Sequence, residues 1–279
     1  MRTRALAGLP FLAFMGLFLV YPTVIVLWRS VTPGGTPGTA SLERAISDPY
    51  RSSFINSIQL SFTSALIGAV IGLALALAIY DLKRPRFLRP LLESWSAVAS
   101  QLGGVPLAFA FVAAIGTQGI LTKVLRETTG FDLVDHGIGP TGFWGLVAVY
   151  LYFQIPLMFL VILPAVGGLK KTWQEAAAVL GAPSSRYWRS VALPLLTPSF
   201  IGGFLLLFVN AFSAYATAYV LSPSTQIVPL QIRFLLQGNV ITGEQDLAYA
   251  IVTWTVILLL VAVLVMGLAN RRAALWSRQ

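Results

Sequence analysis

Along this chain, long charge-free and mostly apolar runs alternate with short clusters of charge. A helix that is apolar all round is buried in a large core or in a membrane. Crossing the hydrocarbon takes about 20 mostly apolar residues, because each adds ~1.5 Å across ~30 Å. Six stretches reach that length, predicting spans at about 5–28, 54–80, 95–116, 142–168, 196–221 and 247–270. Gln101, Gly103, Gly104 and Pro106 interrupt the third. Pro106, Pro156 and Pro164 read as kinks in packed helices, since neighbouring helices can satisfy the backbone groups a proline frees. The first stretch follows Arg2 and Arg4, as a secretory signal would. It is longer than a signal's apolar region and no clear small-residue cleavage site follows, so it reads as a retained helix anchored by Tyr21, Pro22 and Trp28.

Composition supports the same solvent. Of 279 residues 57% are hydrophobic and 10% charged, against roughly 25% charged in soluble domains. The expected fold class is therefore an all-α integral membrane protein with six transmembrane helices in a single domain, 1–279. Cysteine is absent, which excludes disulfides and thiolate chemistry, and the single histidine, His136, excludes a paired-histidine zinc motif. None of the four lysines follows a glycine as a nucleotide-binding GK[ST] loop requires, and there is no G-x-S-x-G elbow. Asp135-His136 is the one acid–histidine neighbour pair, in a glycine-rich loop, and reads as solvated. No catalytic, cofactor-binding or metal-binding residue is expected, and the chain reads as a non-enzyme.

The net charge of +9 is distributed by side. With the N-terminus in the cytoplasm, 13 of the 19 basic residues fall inside: Arg2, Arg4, Lys83, Arg84, Arg86, Arg89, Lys170, Lys171, Arg186, Arg189, Arg271, Arg272 and Arg278. The inner side then carries +10 and the outer side −1. Positive-inside orientation accounts for this without a nucleic-acid partner. No charge falls mid-span, whereas ion-coupled carriers use an intramembrane acid or base. A secondary carrier is thus the alternative class, lacking its expected coupling residue.

The segment 170–195, between spans four and five, carries the most specific pattern. Thr172 and Glu175 are spaced as a capping box, Ala176–Ala178 favour helix, and Gly181 permits the left-handed conformation that ends one. Pro183 suits the start of a second helix over about 184–192, with Tyr187, Trp188 and Val191 on its apolar face; Leu193, Pro194 and Pro198 mark a turn into span five.

Glu175-Ala176-Ala177, then Gly181, then Leu193-Pro194 resemble the EAA signature of permease subunits of type I ATP-binding-cassette importers. The order, both spacings and the place before the penultimate span agree. The resemblance implies a MetI-like six-span architecture in a bacterial inner membrane, with both termini cytoplasmic. It implies that the loop is a coupling helix docking on a separate ATPase, where Glu175 pairs with a basic group, Ala176 and Ala177 allow close seating and Gly181 makes the turn. It further implies two ATP-binding subunits carrying ATP and Mg, a second permease copy or paralogue, and an extracytoplasmic solute-binding protein.

Polar residues within spans are the candidates for a solute pathway. Span five offers Asn210, Ser213, Tyr215, Thr217 and Tyr219, with Asn210 and Tyr215 foremost; Gln101 and Gln154 are further candidates. Each has an alternative use as an interhelical hydrogen bond, worth ~0.6 kcal/mol on average. The stretch 204–239 resembles permeases for polyamines, iron, thiamine or aminoethylphosphonate more than sugar permeases, which stay as an alternative. The acidic residue that polyamine permeases show near Ser213-Ala214 is absent, which argues against a polycation.

Overall fold

The computed structural model describes residues 9–81, 87–136, 139–221, 226–237 and 244–276. Arg2, Arg4, Lys83, Arg84, Arg86 and Arg278 of the charge count lie outside the described residues, as does Asn239. Every regular element among the described residues is helical. In chain order these are α1 (Leu9–Met15), α2 (Tyr21–Val31), α3 (Ala40–Ala45), α4 (Tyr50–Asp81), α5 (Leu88–Gln101), α6 (Gly104–Ile115) and α7 (Ile120–Thr129). There follow α8 (Phe143–Gly167), α9 (Lys171–Val179), α10 (Ser184–Tyr187), α11 (Leu193–Ser213), α12 (Tyr215–Leu221), α13 (Val228–Gln237) and α14 (Gln245–Trp276). Among the described residues, six stretches are long and apolar enough to cross a membrane: Pro10–Val31, Tyr50–Tyr80, Gly104–Thr129, Phe143–Gly167, Ser184–Ser213 and Gln245–Val265.

Two expected spans are broken. The stretch 95–116 is divided at Leu102-Gly103 into α5 and α6. Gly104 adopts φ +71° at the break, and Pro106 then stands in the first turn of α6, where a missing N–H costs nothing. Pro106 thus belongs to a helix start rather than to a kink, whereas α8 runs on through Pro156 and Pro164. The stretch 196–221 is interrupted at Ala214, between α11 and α12.

Two π-helical turns, Gly16–Val20 and Trp188–Ala192, share one sequence context. The first is closed by the Tyr21 N–H donating to Gly16 O, directly before Pro22; the second by the Leu193 N–H donating to Trp188 O, directly before Pro194. A proline lacks an N–H and crowds the carbonyl four residues earlier. One wider turn ahead of it gives that strand of carbonyls new partners, a local adjustment tolerated within membrane helices. The expected turn at Leu193-Pro194 is therefore absent, and the chain stays helical from Ser184 to Ser213.

By internal contacts the chain divides into two compact units, one comprising Met1–Asn56 and Gln226–Leu260, the other Ser57–Thr225 and Val261–Gln279. In the first, polar bonds fasten the segments to one another. Gly34 N–H donates to Asp246 Oδ2 (2.9 Å), Arg44 pairs with Glu244 (3.2 Å), Trp254 Nε1 donates to Leu42 O (3.1 Å), and Arg29 lies over the Tyr249 ring.

The second unit is built on α8. Leu146, Val147, Val149, Tyr150 and Phe153 form its core with Leu60 of α4, Leu107 of α6 and Ala211 of α11. Small residues let helices approach closely where no hydrophobic effect drives them together. On α4, Gly68 faces Gln154 and Leu207, and Gly72 faces Met158, which also meets Gly203 of α11. Met158 is fully buried between the two glycines.

Candidate functional site

The two helix breaks meet at one cavity of about 270 Å³, lined in part by Gln101, Asn210, Tyr215, Phe153 and Thr217. No charged side chain lines it. Each break is fixed by a cross-helix bond. Thr217 Oγ1 accepts from the Gly104 N–H (2.9 Å) and donates to Gly104 O (3.3 Å), so one hydroxyl serves both backbone groups at the start of α6. Tyr150, buried in the core, donates its hydroxyl to Ala214 O (3.0 Å), a carbonyl that the interrupted helix leaves over.

Thr217→Val would keep the shape and remove both bonds, leaving the Gly104 N–H without its acceptor. A buried unsatisfied group costs about 1–3 kcal/mol. The expected result is a thermal midpoint lowered by several degrees in detergent, with Thr217→Ser close to wild type; equal midpoints for Val and wild type would remove this bond from the account.

Of the seven pathway candidates, Gln101, Asn210, Tyr215 and Thr217 come together at the cavity. Ser213, Tyr219 and Gln154 do not line it. Ser213 is exposed, with its hydroxyl donating to Val209 O (2.7 Å). Gln154 is fully buried and donates Nε2 to Ser64 Oγ (3.2 Å), tying α8 to α4 as an interhelical bond. Sequence reasoning gave no place to Phe153, Gly103 or Gly104. The signal for the glycines was Gly-Gly-x-Pro, which marks a helix start as readily as a flaw in a span.

Segment 170–195 forms the expected helix pair with a different beginning. Helix α9 starts at Lys171 with Lys170 at its N-cap, and no side chain caps it, so the Thr172–Glu175 capping box is absent. Its end is closed by three backbone bonds. The Leu180 N–H donates to Ala176 O (3.1 Å), Gly181 N–H to Ala178 O (3.0 Å) and Ala182 N–H to Ala177 O (2.9 Å). With Gly181 at φ +73° these last two bonds make a Schellman motif. Glu175 and Ala176 are exposed and Ala177 is half-buried. Val179 and Leu180, at 87% and 85% exposure, leave an apolar tip beside them. Tyr187 is buried, Leu193 and Pro194 are exposed, and Leu193 closes the π turn described above.

Asp135-His136 forms no acid–histidine pair. His136 Nδ1 lies 2.8 Å from Asp132 O and its ring stacks on Phe131. Asp132 is held below the usual carboxylate range, chiefly by the Val134 N–H and further by the Arg126 guanidinium. Among the described residues no group of three or more His, Asp or Glu side chains could hold a metal ion.

Residues 68–274 match the family model described as "Binding-protein-dependent transport system inner membrane component". Relatives include the ferric transport system permease protein FbpB of Actinobacillus pleuropneumoniae, 25% identical over 80% of this chain and 32% of its own length. The chain spans about a third of such ferric permeases. The spermidine/putrescine permease PotC of Haemophilus influenzae is 27% identical over 78% of this chain and 76% of its own. Among solved structures, a chain of a bacterial alginate ABC transporter in complex with its periplasmic protein superposes with a TM-score of 0.79 at 20% identity, covering 97% of this chain and 94% of that one. That likeness shows a shared fold. The matched region takes in both the broken-helix cavity and segment 170–195, and with six apolar helices the chain is a multi-pass membrane protein belonging to the family of binding-protein-dependent transport system inner membrane components.

Proposed function

We propose that this chain is the permease subunit of an ATP-driven, binding-protein-dependent importer. It contributes a solute pathway through the cavity at the two helix breaks and couples through segment 170–195 to a separate ATPase. The carrying observation is the family match over 68–274, which includes both features. Glu175, Ala176, Ala177 and Gly181 shape the surface that meets the ATPase, with Leu193 and Pro194 continuing it into α11. Two ATP-binding subunits hold ATP and Mg; a second permease copy or paralogue completes the pathway; an extracytoplasmic solute-binding protein delivers the solute. The termini face the cytoplasm, following the basic residues.

The relatives' names cover ferric, spermidine/putrescine and sn-glycerol-3-phosphate transport, solutes of opposite charge. A cavity walled by amides, hydroxyls and rings, with no charged group, does not select by charge. Selection is accordingly assigned to the binding protein, and the solute to a small polar molecule of the iron, thiamine, aminoethylphosphonate or polyamine type. The missing acidic residue near Ser213-Ala214 disfavours the last.

Purification of the tagged chain from its own membrane tests the proposal. An ATP-binding subunit should accompany it in stoichiometric amount, and the solute carried by the cognate binding protein should stimulate ATP hydrolysis. Recovery without any ATP-binding partner would sink the reading. Within that complex, Asn210→Leu and Tyr215→Ala are each expected to lower uptake about tenfold while ATP hydrolysis persists. Unchanged uptake in both variants would take the cavity out of the pathway.

A further inference from the structure

At the foot of segment 170–195 lies a second, smaller pocket of about 50 Å³, whose lining includes Leu77, Tyr80, Lys170, Lys171, Gln174 and Trp188. We propose that it binds the phosphate of an anionic phospholipid. This goes beyond the transport reading and requires only that the chain spans a bilayer.

Position sets the depth of the pocket. The apolar stretch Tyr50–Tyr80 stops at Tyr80, Phe143–Gly167 stops shortly before Lys170, and Ser184–Ser213 begins just before Trp188. Three membrane-crossing stretches thus end around it, which places it at head-group level, where tyrosine and tryptophan are enriched. By the basic-residue count this is the cytoplasmic side.

The chemistry is two-sided. Lys170 and Lys171, consecutive in the chain, both line the pocket, and among the described residues neither is in an ion pair with a carboxylate. Lys170 lies 5.7 Å from the Trp173 ring centroid, a contact that leaves its charge uncompensated. Ammonium groups act as point charges toward phosphate, and Gln174 adds a carboxamide donor. Tyr80 is fixed as a wall, because its hydroxyl already donates to Leu169 O. Leu77 and the Trp188 ring form an apolar side continuous with the spans. A free phosphate uses only the charged side, whereas a phospholipid uses both, with acyl chains leaving along Leu77. Basic pockets between spans on the cytoplasmic side are recurrent lipid head-group sites.

The site also bears on α9. That helix begins with two lysines, has no acidic residue in its first turn and has no capping side chain, although negative charge is what stabilises a helix start. A bound phosphate supplies it, so lipid composition sets the order of the segment carrying Glu175.

The test is native mass spectrometry of the full-length chain in its membrane complex, equilibrated with equal amounts of phosphatidylglycerol and phosphatidylcholine. Wild type should retain phosphatidylglycerol about tenfold over phosphatidylcholine. Lys170→Gln with Lys171→Gln should bring the ratio near unity, while the double Arg variant keeps it, as does Lys123→Gln in α7, a lysine that does not line the pocket. No preference in wild type, or an undiminished one in the double Gln variant, overturns the proposal. So does full displacement of the lipid by 10 mM inorganic phosphate. Because the wild-type ratio is itself decisive, a poorly inserting variant does not remove the test.

Discussion

Replacing Gly181 by valine should leave the chain in the membrane at its normal level and lower uptake at least tenfold. A Cβ at Gly181 would meet nothing within 4 Å, so no clash opposes the change. The cost lies in the backbone. Gly181 holds φ +73°, a conformation that costs an L-residue roughly 1–2 kcal/mol, with a β-branched residue fitting worst. That penalty is small against the stability of a whole protein but acts at one place, the turn closing α9. If Gly181 leaves the left-handed region, the bonds from Gly181 to Ala178 and from Ala182 to Ala177 are lost together, and Glu175, Ala176 and Ala177 change their aim relative to α10. A graded series separates conformation from bulk. Asn tolerates this region and should retain most uptake, Ala should be intermediate, and Val should be lost. Glu175→Lys should abolish uptake equally, by reversing a charge at an exposed position without disturbing the fold. Normal uptake in Gly181→Val, with normal amounts of protein, would end the coupling assignment.

The second large effect should come from the core. In Gly72→Val, the first added carbon would lie 2.6 Å from Met158 Cβ and 3.0 Å from Ile155 O, close to backbone on both sides. Neither atom can swing away, and overpacking of a tight core costs about 1–3 kcal/mol or more. The amount of chain in the membrane should fall several-fold, with a lowered thermal midpoint in what remains. Gly203→Ala offers the internal comparison. There the obstacle is Met158 Sδ at 2.5 Å, the flexible end of the same side chain. Truncating Met158 to alanine should therefore relieve Gly203→Ala and leave Gly72→Val unrelieved, since Cβ and the backbone remain. Equal rescue of both would show that the helices separate easily and that Met158 is not clasped as described.

The apolar stretches were readable because membrane insertion constrains them strongly: about 20 residues must be apolar whatever they pack against. The end of α9 was readable for a similar reason, since Gly181 after an alanine run leaves few conformations open. Its beginning was misread because Thr172 can cap a helix, yet α9 starts two residues too early for it to do so. The break at Ala214 carries no local signal. Ser-Ala-Tyr-Ala-Thr contains neither glycine nor proline, and the interruption is held by Tyr150 from α8 and by the Thr217–Gly104 pair. Partners more than sixty residues away cannot be seen in a window of local sequence. Gln154 was misplaced for the same reason, as a polar residue in a span looks alike whether it faces a cavity or a serine on the next helix. The close approach at Gly72 was available in the Gly68-x-x-x-Gly72 spacing, a small-residue pattern that brings helices together.

The π turn at Trp188–Ala192 is, in terms of winding, one residue more than an α-helix would use over the same length. Each residue advances an α-helix by about 100°, so that surplus residue shifts the azimuth of all that follows it. Tyr187 is buried before the turn, and Leu196, Gly203 and Leu207 are buried after it. Drawn on one uninterrupted helical wheel, the two sets fall out of phase. Removing one residue between 188 and 192 would restore regular winding at the expense of that alignment, rolling Gly203 away from Met158 and Asn210 away from the cavity. The chain length between segment 170–195 and α11 is thus an angular setting as much as a distance.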